Sequence, residues 1–173
     1  ALASVCEVTV HDLPVITASG ATVCLGKSAS LVANGGIPNG YMWLGPHGYV
    51  SIGHNAFIQI VNTLSNGDYT VVGTSTNSCK ASTSVNLSFY DLPIPTYTVP
   101  TRACFQSAIN LLSAAAVSYT WTVASGNKIF TQNAITIVTN SAGVENYSLT
   151  IMDDRGCLNT ATMTVYVDLL PSG

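Results

Sequence analysis

Short stretches of alternating apolar and polar residues run along the chain, and most of them end at glycine, proline or asparagine. Tyr69 and Val71, for example, share one side of a predicted strand, while Thr70 and Val72 share the other. A period of two residues is the pattern of a half-buried β-strand. Only the segment from Gln106 to Val117, which is rich in Ala and Leu, is also compatible with a helix. The pattern therefore predicts an all-β protein with one ambiguous segment.

The same order of landmarks occurs twice, about 78 residues apart, which is the mark of a tandem repeat. The recurring landmarks are Asp12-Leu13-Pro14 with Asp91-Leu92-Pro93, Tyr41-Met42-Trp43 with Tyr119-Thr120-Trp121, and Cys79 with Cys157. The spacing changes mainly in the segment before each tryptophan, so this segment is a loop, because loops accept insertions more readily than strands. The repeat also aligns Gln106 to Val117 with a strand of the first copy, which overrides the helical interpretation.

Matched apolar positions predict the core-facing residues of both copies. They are Ala29, Leu31 and Ala33 with Ile109, Leu111 and Ser113; Tyr41 and Trp43 with Tyr119, Trp121 and Val123; Tyr69 and Val71 with Tyr147, Leu149 and Ile151; and Val85, Leu87 and Phe89 with Met163, Val165 and Val167. Phe57 to Val61 and Ala134 to Val138 predict a further apolar strand in each copy. Six to seven short strands per copy, with a tryptophan on the third strand and a tyrosine on the sixth, predict an immunoglobulin-like β-sandwich.

The N-terminal segment belongs to neither copy. Alignment on the proline residues places Cys6 at an inward position of a last strand, and Val8 and Val10 continue that side. We therefore predict that residues 1–13 hold the last strand of a preceding repeat, that residues 14–92 form the first repeat, and that residues 93–173 form the second. Val5, Cys6, Val8 and Val10 are then candidates to pair with a neighbouring domain or chain. The simpler alternative is that Cys6 is a small buried apolar residue.

Four of the five cysteines recur with the repeat. In each copy one lies just before the second strand and one just after the sixth, and we expect these points to lie at the same end of the sandwich. We therefore predict disulfides between Cys24 and Cys79 and between Cys104 and Cys157. Each would close a loop of about 55 residues and contribute roughly 4 kcal/mol. A zinc site is the weaker alternative, because no Cys-x-x-Cys pair occurs. Disulfides imply an oxidising compartment.

Charge is scarce: 8% of the residues are charged, against about 25% in an average soluble domain. The surface must then be built largely from Ser, Thr, Asn and Gly. Five basic residues and a net charge of −3 give no basic patch, so we expect no nucleic-acid partner. No apolar run approaches the roughly 20 residues that span a bilayer, so we expect no membrane insertion. Because no signal peptide is recognisable, we expect a mature protein or an internal fragment.

The landmarks together resemble a known class of repeat. Cys24-x-Gly26, a Ser/Ala/Leu strand, Tyr41-x-Trp43, Tyr69-Thr-Val and a cysteine, then Leu-Pro, are similar to the PKD-like and immunoglobulin-like repeats of giant Bacteroidota surface proteins. Those proteins include gliding-motility adhesins and other substrates of the type IX secretion system. The second copy departs from the pattern at Gln106, which replaces Gly26, and at residues 153–156.

This resemblance implies a location outside the cell or on the bacterial cell surface. It also implies a non-catalytic structural or adhesive segment of a long protein or filament, with copies of itself or neighbouring repeats as partners. The fold class expected is therefore two tandem immunoglobulin-like (PKD-like) β-sandwich domains, each with one disulfide.

The chemistry-bearing residues give no catalytic pattern. His11, His47 and His54 lie in or near the first copy and do not recur, and no Gly-x-Ser-x-Gly motif occurs. His47 and His54 flank a Gly-rich loop and would make half of a metal site, although exposed loop histidines without a function are far commoner. We predict no catalytic residues, no cofactor, no metal site and no enzymatic activity.

Calcium is an alternative at the linkers between domains. Asp153 and Asp154 alone provide too few oxygens for calcium. Asp12, Asp91 and Asp168 recur before the linker prolines and could hold calcium between domains, but capping of the adjacent turn is the simpler interpretation.

The competing function is a carbohydrate-binding or spacer module of a secreted multidomain hydrolase. Sugar-binding platforms use exposed aromatic rings, and Tyr49, Tyr90, Tyr97 and Tyr166 are the candidates for one. Tyr90 and Tyr166 are the strongest, because both are out of phase with the inward residues of their strands. Cell-surface glycans would then be partners.

Overall fold

The computed structural model describes residues 7–124 and 128–169, with the backbone alone for residues 128 and 129. The chain divides into two compact units, residues 1–90 and residues 91–173. The predictions for Val5 and Cys6 lie outside the described residues. Apart from one short 3-10 turn at Pro46–Gly48, the regular structure in the described part is β-strand.

The described part of the first unit contains eight strands. They are β1 (Thr17–Ser19), β2 (Ala21–Cys24), β3 (Ala29–Asn34), β4 (Tyr41–Leu44), β5 (Val50–Ile52), β6 (Asn55–Ile58), β7 (Gly67–Thr74) and β8 (Lys80–Tyr90). One sheet has the order β1-β3-β6, and the other has the order β2-β8-β7-β4-β5. All neighbours are antiparallel except β2 and β8, which run in parallel.

The two sheets of the first unit pack against each other through one apolar core. The core residues, with partly exposed neighbours left aside, are Ile16, Ala29, Leu31, Ala33, Tyr41, Trp43, Ala56, Ile58, Val61, Tyr69, Val71 and Leu87. Trp43 donates a hydrogen bond from Nε1 to the carbonyl oxygen of Gly53 at 3.2 Å. The Tyr69 hydroxyl donates to the carbonyl oxygen of Ser65 at 3.0 Å, four residues upstream. A buried tryptophan and such a tyrosine corner are features of immunoglobulin-like sandwiches.

The second unit repeats this architecture. Its strands are β9 (Tyr97–Thr98), β10 (Arg102–Cys104), β11 (Ala108–Ser113), β12 (Ser118–Val123), β13 (Lys128–Phe130), β14 (Ala134–Val138), β15 (Gly143–Met152) and β16 (Leu158–Asp168). The sheet orders β9-β11-β14 and β10-β16-β15-β12-β13 match those of the first unit, and β10 again runs parallel to β16. The ambiguous segment forms strand β11, which confirms the interpretation from the repeat.

The core of the second unit uses the predicted positions. Its residues are Ile109, Leu111, Trp121, Val123, Ile135, Ile137, Tyr147, Leu149, Ile151, Met163, Val165 and Val167. Trp121 is fully buried, but within the described residues its Nε1 has no hydrogen-bond partner. The two cores therefore share their apolar frame but differ in how they satisfy the polar atom of the tryptophan.

Two details of strand placement differ from the sequence predictions. The strand predicted at Phe57 to Val61 lies at Asn55–Ile58, so Ala56 and Ile58 face the core and Phe57 is 60% exposed. Residues 7–16 belong to no strand, and Val8 and Val10 are 77% and 87% exposed. Within the described chain these valines have no inward-facing role, because no neighbouring strand is paired with them. Their assignment to the last strand of a preceding repeat remains a prediction.

Candidate functional sites: the cysteine positions and the exposed sheet faces

Cys24 lies at the end of the first unit where β8 finishes. It is the last residue of β2 and is in register with Tyr90, the last residue of β8. The chain then turns: the Leu25 amide donates to the Tyr90 carbonyl at 2.9 Å, and the Lys27 amide donates to the Cys24 carbonyl at 3.0 Å. Gly26 has a φ of 82°, which glycine adopts without strain.

Cys104 has the same surroundings in the second unit. It is in register with Asp168, the last residue of β16. The Phe105 amide donates to the Asp168 carbonyl at 2.8 Å, and the Ser107 amide donates to the Cys104 carbonyl at 3.0 Å. Gln106 takes the place of Gly26 and adopts the same left-handed conformation, with a φ of 60°. The backbone of this loop is therefore kept although its residue is unfavourable there.

Cys79 closes the turn between β7 and β8. The Ser75 amide donates to the Cys79 carbonyl at 2.8 Å, and the Cys79 amide donates to the Ser75 hydroxyl oxygen at 3.2 Å. Ser78 has a φ of 63°. Cys79 is followed directly by Lys80, the first residue of β8, so it lies at the opposite end of that strand from Cys24.

The turn at Cys157 is built in the same way. The Asp153 amide donates to the Cys157 carbonyl at 3.1 Å, and the Cys157 amide donates to Oδ1 of Asp153 at 2.8 Å. Gly156 occupies the left-handed position with a φ of 80°. The carboxylate of Asp153 therefore does the work of the Ser75 hydroxyl, which explains an acidic residue in this turn without a metal ion.

The predicted disulfide pairing is wrong. Cys24 and Cys157 each take part in a disulfide, whereas Cys79 and Cys104 are free thiols. In each unit the two cysteines lie at opposite ends of an eleven-residue strand, β8 or β16. At about 3.3 Å per residue they are roughly 33 Å apart, and a disulfide requires Cα atoms within about 7 Å. The error arose from the expectation that both positions share one end of the sandwich.

The candidate sugar platform falls on residues in different settings. Tyr166 lies on β16, is 53% exposed, and is in register with Arg102 and Val144. Tyr90 is half-buried at the end of β8, where its carbonyl accepts from Leu25. Tyr166 is thus available to a ligand, and Tyr90 is less so.

Asp168, one of the aspartates considered for calcium, is engaged by Arg102. The guanidinium donates from Nε to Oδ2 at 3.0 Å and forms a second contact from Nη2 to Oδ1. This hydrogen-bonded pair lowers the pKa of Asp168 below its ordinary value. Both side chains are exposed, so the pair orders the surface near Cys104 more than it stabilises the fold.

The histidines serve no shared site in the described residues. The His54 ring packs edge-on against Tyr41, with centroids 5.8 Å apart. His47 lies in the 3-10 turn with a φ of 52°. No group of three or more His, Cys, Asp or Glu side chains in residues 7–124 and 128–169 is arranged to hold a metal ion.

Hydroxyl and amide groups cover the outer faces of the five-stranded sheets. In the first unit the hydroxyl oxygens of Thr22 and Ser88, and those of Thr70 and Ser84, are 2.8 Å apart. In the second unit the hydroxyl oxygens of Thr150 and Thr160, on neighbouring strands, are 2.7 Å apart. These cross-strand pairs make the outer faces polar without using charged residues. The low content of charged residues predicts such a surface.

The outer faces differ at one edge. In the first unit β4 and the edge strand β5 expose Met42, Leu44, Val50 and Ile52. In the second unit Thr120 and Thr122 stand where Met42 and Leu44 stand in the first. At these two positions the first unit is therefore apolar where the second unit is polar.

Two surface grooves of the described residues contain no catalytic arrangement. One of about 450 Å³ lies beside the Cys104 loop and is lined by Thr98, Val99, Pro100, Arg102, Ala103, Ser107, Ala108, Ile109 and Asn110. Another of about 380 Å³ lies on the outer face of the second unit and is lined by Thr122, Ala124, Asn146, Tyr147, Ser148, Thr162 and Thr164. Neither set of described lining residues contains the acid–base or nucleophilic combination that a hydrolase needs.

Glu145 is a buried acidic residue that the sequence analysis did not predict. Its carboxylate accepts a hydrogen bond from the Tyr147 hydroxyl in the core of the second unit. Burial, and then this hydrogen bond, raise the pKa of Tyr147 well above its ordinary value. The available signal was that Glu145 lies in phase with Tyr147, at the position that Gly67 occupies in the first copy.

No helix in the described part of the chain is long and apolar enough to cross a bilayer.

No protein-family model and no curated protein matches the chain. Solved structures do resemble it. A PKD1 domain of Vibrio anguillarum Epp is 24% identical, with a TM-score of 0.39, and the match covers 46% of this chain and 96% of that domain. The titin domains Z1Z2, solved with telethonin, are 12% identical with a TM-score of 0.43, covering 94% and 100%. Murine CEACAM1b is 14% identical with a TM-score of 0.39, covering 90% and 100%. The description of the fold as immunoglobulin-like rests on the strand order and cores described above.

Proposed function

We propose that the two units are tandem immunoglobulin-like (PKD-like) domains of a non-catalytic structural or adhesive segment in a long extracellular protein on the bacterial cell surface. The observation that carries this proposal is the placement of cysteines at both ends of each sandwich. The two described cysteines of one unit are too far apart to form a disulfide with each other. A disulfide at such a position is suited instead to fixing a unit to what lies beyond its end, which is the requirement of a stiff stalk or filament.

Two further features support this function. Cys24 and Cys157 are oxidised, which fits the exterior or the periplasm rather than the cytosol. The outer sheet faces carry paired hydroxyl groups and few charges, so copies can approach laterally without strong charge repulsion. Secretion by the type IX system, the adhesive role and self-association follow only from the resemblance to Bacteroidota repeats.

Surface labelling tests the proposed location and role. An antibody raised against residues 7–169 is applied to intact and to permeabilised cells of the source organism. We expect equal labelling of both, and labelling that is lost after brief external proteolysis. Labelling only after permeabilisation would contradict the proposal. Electron microscopy of the full-length protein should show rods or filaments, and compact free monomers would count against a stalk.

The second candidate is a carbohydrate-binding module, which the exposed ring of Tyr166 favours. An array of cell-surface glycans tests it with wild type, Tyr166→Ala and Tyr90→Ala. Binding that is lost in Tyr166→Ala and kept in Tyr90→Ala would support a platform at Tyr166. No binding by wild type, or binding that survives both substitutions, would remove this candidate.

A further inference from the structure

We propose that Cys79 and Cys104 are the two halves of a disulfide that joins successive repeats, with Cys104 of one copy bonded to Cys79 of the next. This inference rests on the proposed function in that it requires a further repeat and an oxidising compartment. A second copy of this chain carries both Cys79 and Cys104, so it supplies the partner in a test.

The first step of the argument is that neither free cysteine can reach the other described cysteine of its own unit. Cys79 lies before the first residue of β8, and Cys24 lies beside its last. Cys104 lies beside the last residue of β16, and Cys157 precedes its first. A separation of about 33 Å in each unit forbids a bond within the unit between these described cysteines.

The second step is that both free thiols occupy backbone settings in which the equivalent cysteine is oxidised. The loop around free Cys104 has the hydrogen bonds and left-handed residue of the loop around bonded Cys24. The turn around free Cys79 has those of the turn around bonded Cys157. The two settings therefore differ in the presence of a partner and not in local geometry.

The third step concerns which ends combine. The free cysteines of the described residues comprise one at a strand end, Cys104, and one in a turn, Cys79. Pairing of a strand end with a turn uses both kinds in equal numbers, and it is a heterologous contact that extends into a linear array instead of closing as a symmetric dimer. Cys104 is exposed and Cys79 is partly exposed, so both sulfur atoms are accessible.

The bond requires a disulfide oxidant, for which oxidised glutathione serves in vitro. The Cys104 thiolate attacks one sulfur of oxidised glutathione, which gives a mixed disulfide and releases one glutathione thiolate. The Cys79 thiolate of the second copy then attacks the Cys104 sulfur and releases the other glutathione. Two cysteine thiols are oxidised to one disulfide, the glutathione disulfide is reduced to two thiols, and the cysteine protons end on the glutathione.

The experiment uses the chain of residues 1–173 with the Cys6→Ser substitution throughout, so that residue 6 cannot compete as a thiol with Cys79 and Cys104, the free cysteines of the described residues. Cys79→Ser, Cys104→Ser and the double variant are made in this background. Each is incubated at high concentration in a glutathione redox buffer, separated by non-reducing electrophoresis, and mapped for disulfide-linked peptides by mass spectrometry. The parent protein without Cys6→Ser is run alongside.

We expect the background protein to form a ladder of oligomers that collapses on reduction. Each single variant alone should stay monomeric, whereas an equimolar mixture of the two should form dimers and nothing longer. Hydrogen-exchange mass spectrometry of each variant checks that both units are folded. The Cys79–Cys104 peptide should exceed each like pair by about tenfold, which corresponds to about 1.4 kcal/mol of preferential docking.

Four outcomes would overturn the proposal. They are Cys104–Cys104 dimers in Cys79→Ser alone, a statistical mixture of the three pairings, a Cys79–Cys104 bond within one chain, and persistent monomers in every mixture. None of these outcomes depends on where the native protein is located. If the Cys79–Cys104 bond does not form but intact cells are labelled, the proposed function stands and the pairing is wrong. If the bond forms but intact cells are not labelled, the pairing stands and the proposed function is wrong.

Discussion

Cys24 lies in register with Tyr90, the last residue of β8, because β2 runs parallel to that strand. This places it at the far end of the sandwich from Cys79, which precedes the first residue of β8. Cys24 and Cys79 therefore do not bond to each other, although the sequence analysis predicted that they do. Substitution of each cysteine tests this separately by its effect on stability.

Removal of Cys79 should leave the first unit as stable as wild type. Because Cys79 is a free thiol, Cys79→Ser should change the free energy of unfolding by less than about 0.5 kcal/mol. Cys24 is bonded, so Cys24→Ser should cost about 2–4 kcal/mol under oxidising conditions. Urea denaturation with and without reductant measures both. If Cys79→Ser proved as costly as Cys24→Ser, the assignment of Cys79 as free would be wrong.

Replacement of Gln106 by glycine should stabilise the second unit. The φ of 60° at Gln106 strains a side-chain-bearing residue, so Gln106→Gly should stabilise the second unit by about 1 kcal/mol. The matched control is Gly26→Ala in the first unit, where a Cβ would meet nothing within 4 Å and only the φ of 82° penalises it. It should destabilise that unit by a similar amount. Hydrogen-exchange mass spectrometry reports the two units separately, and a destabilised Gln106→Gly would contradict the prediction.

The two buried tryptophans should respond differently to phenylalanine. Trp43→Phe removes the hydrogen bond to Gly53, whereas Trp121→Phe removes an Nε1 that has no partner among the described residues. Both lose similar packing volume, so Trp43→Phe should cost about 1–3 kcal/mol more than Trp121→Phe. Hydrogen exchange in each unit measures the difference. Equal costs would mean that Nε1 of Trp121 is satisfied in solution.

The second unit should lose stability in alkali through Tyr147. Burial, and then the Glu145 hydrogen bond, raise its pKa in the folded state, so the folded unit holds the phenolic proton more tightly than the unfolded chain. This stabilisation is complete below the unfolded pKa of about 10. It is lost as the pH rises from there through the raised folded pKa, because unfolding then releases the proton.

Tyr147→Phe should flatten this dependence in the second unit. It should also cost about 1–3 kcal/mol near neutral pH, since Glu145 loses its buried partner. Tyr69→Phe is the control, because it leaves the second unit unchanged. Hydrogen exchange or urea titration at about pH 8 and above pH 10, with thiols alkylated, measures the effect. An alkaline loss that persists in Tyr147→Phe would assign it to another group.

The alternation of apolar and polar residues was sufficient to predict the two cores, because a period of two fixes which side of a strand faces inward. Leu31, Trp43 and Val71, with Leu111, Trp121 and Leu149, are buried as the repeat predicts. That pattern carries no information on which strands are neighbours or which way they run. Phe57 shows a further limit, because a continuous apolar run does not reveal which of its residues face inward. Ala56 and Ile58 face the core, and the Phe57 ring is exposed.

The tertiary structure alone decided what the cysteines do. The sequence predicted correctly where the cysteines lie relative to the strands. It did not predict at which end of the sandwich each cysteine lies, because this depends on β2 running parallel to β8 and β10 running parallel to β16. The tertiary structure also decides the hydrogen bonds of two buried side chains. The Tyr147 hydroxyl donates to Glu145, whereas Nε1 of Trp121 has no partner among the described residues. Burial is a property of one residue and its phase, whereas pairing depends on the relative position of two segments, and that is fixed only when the sheets assemble.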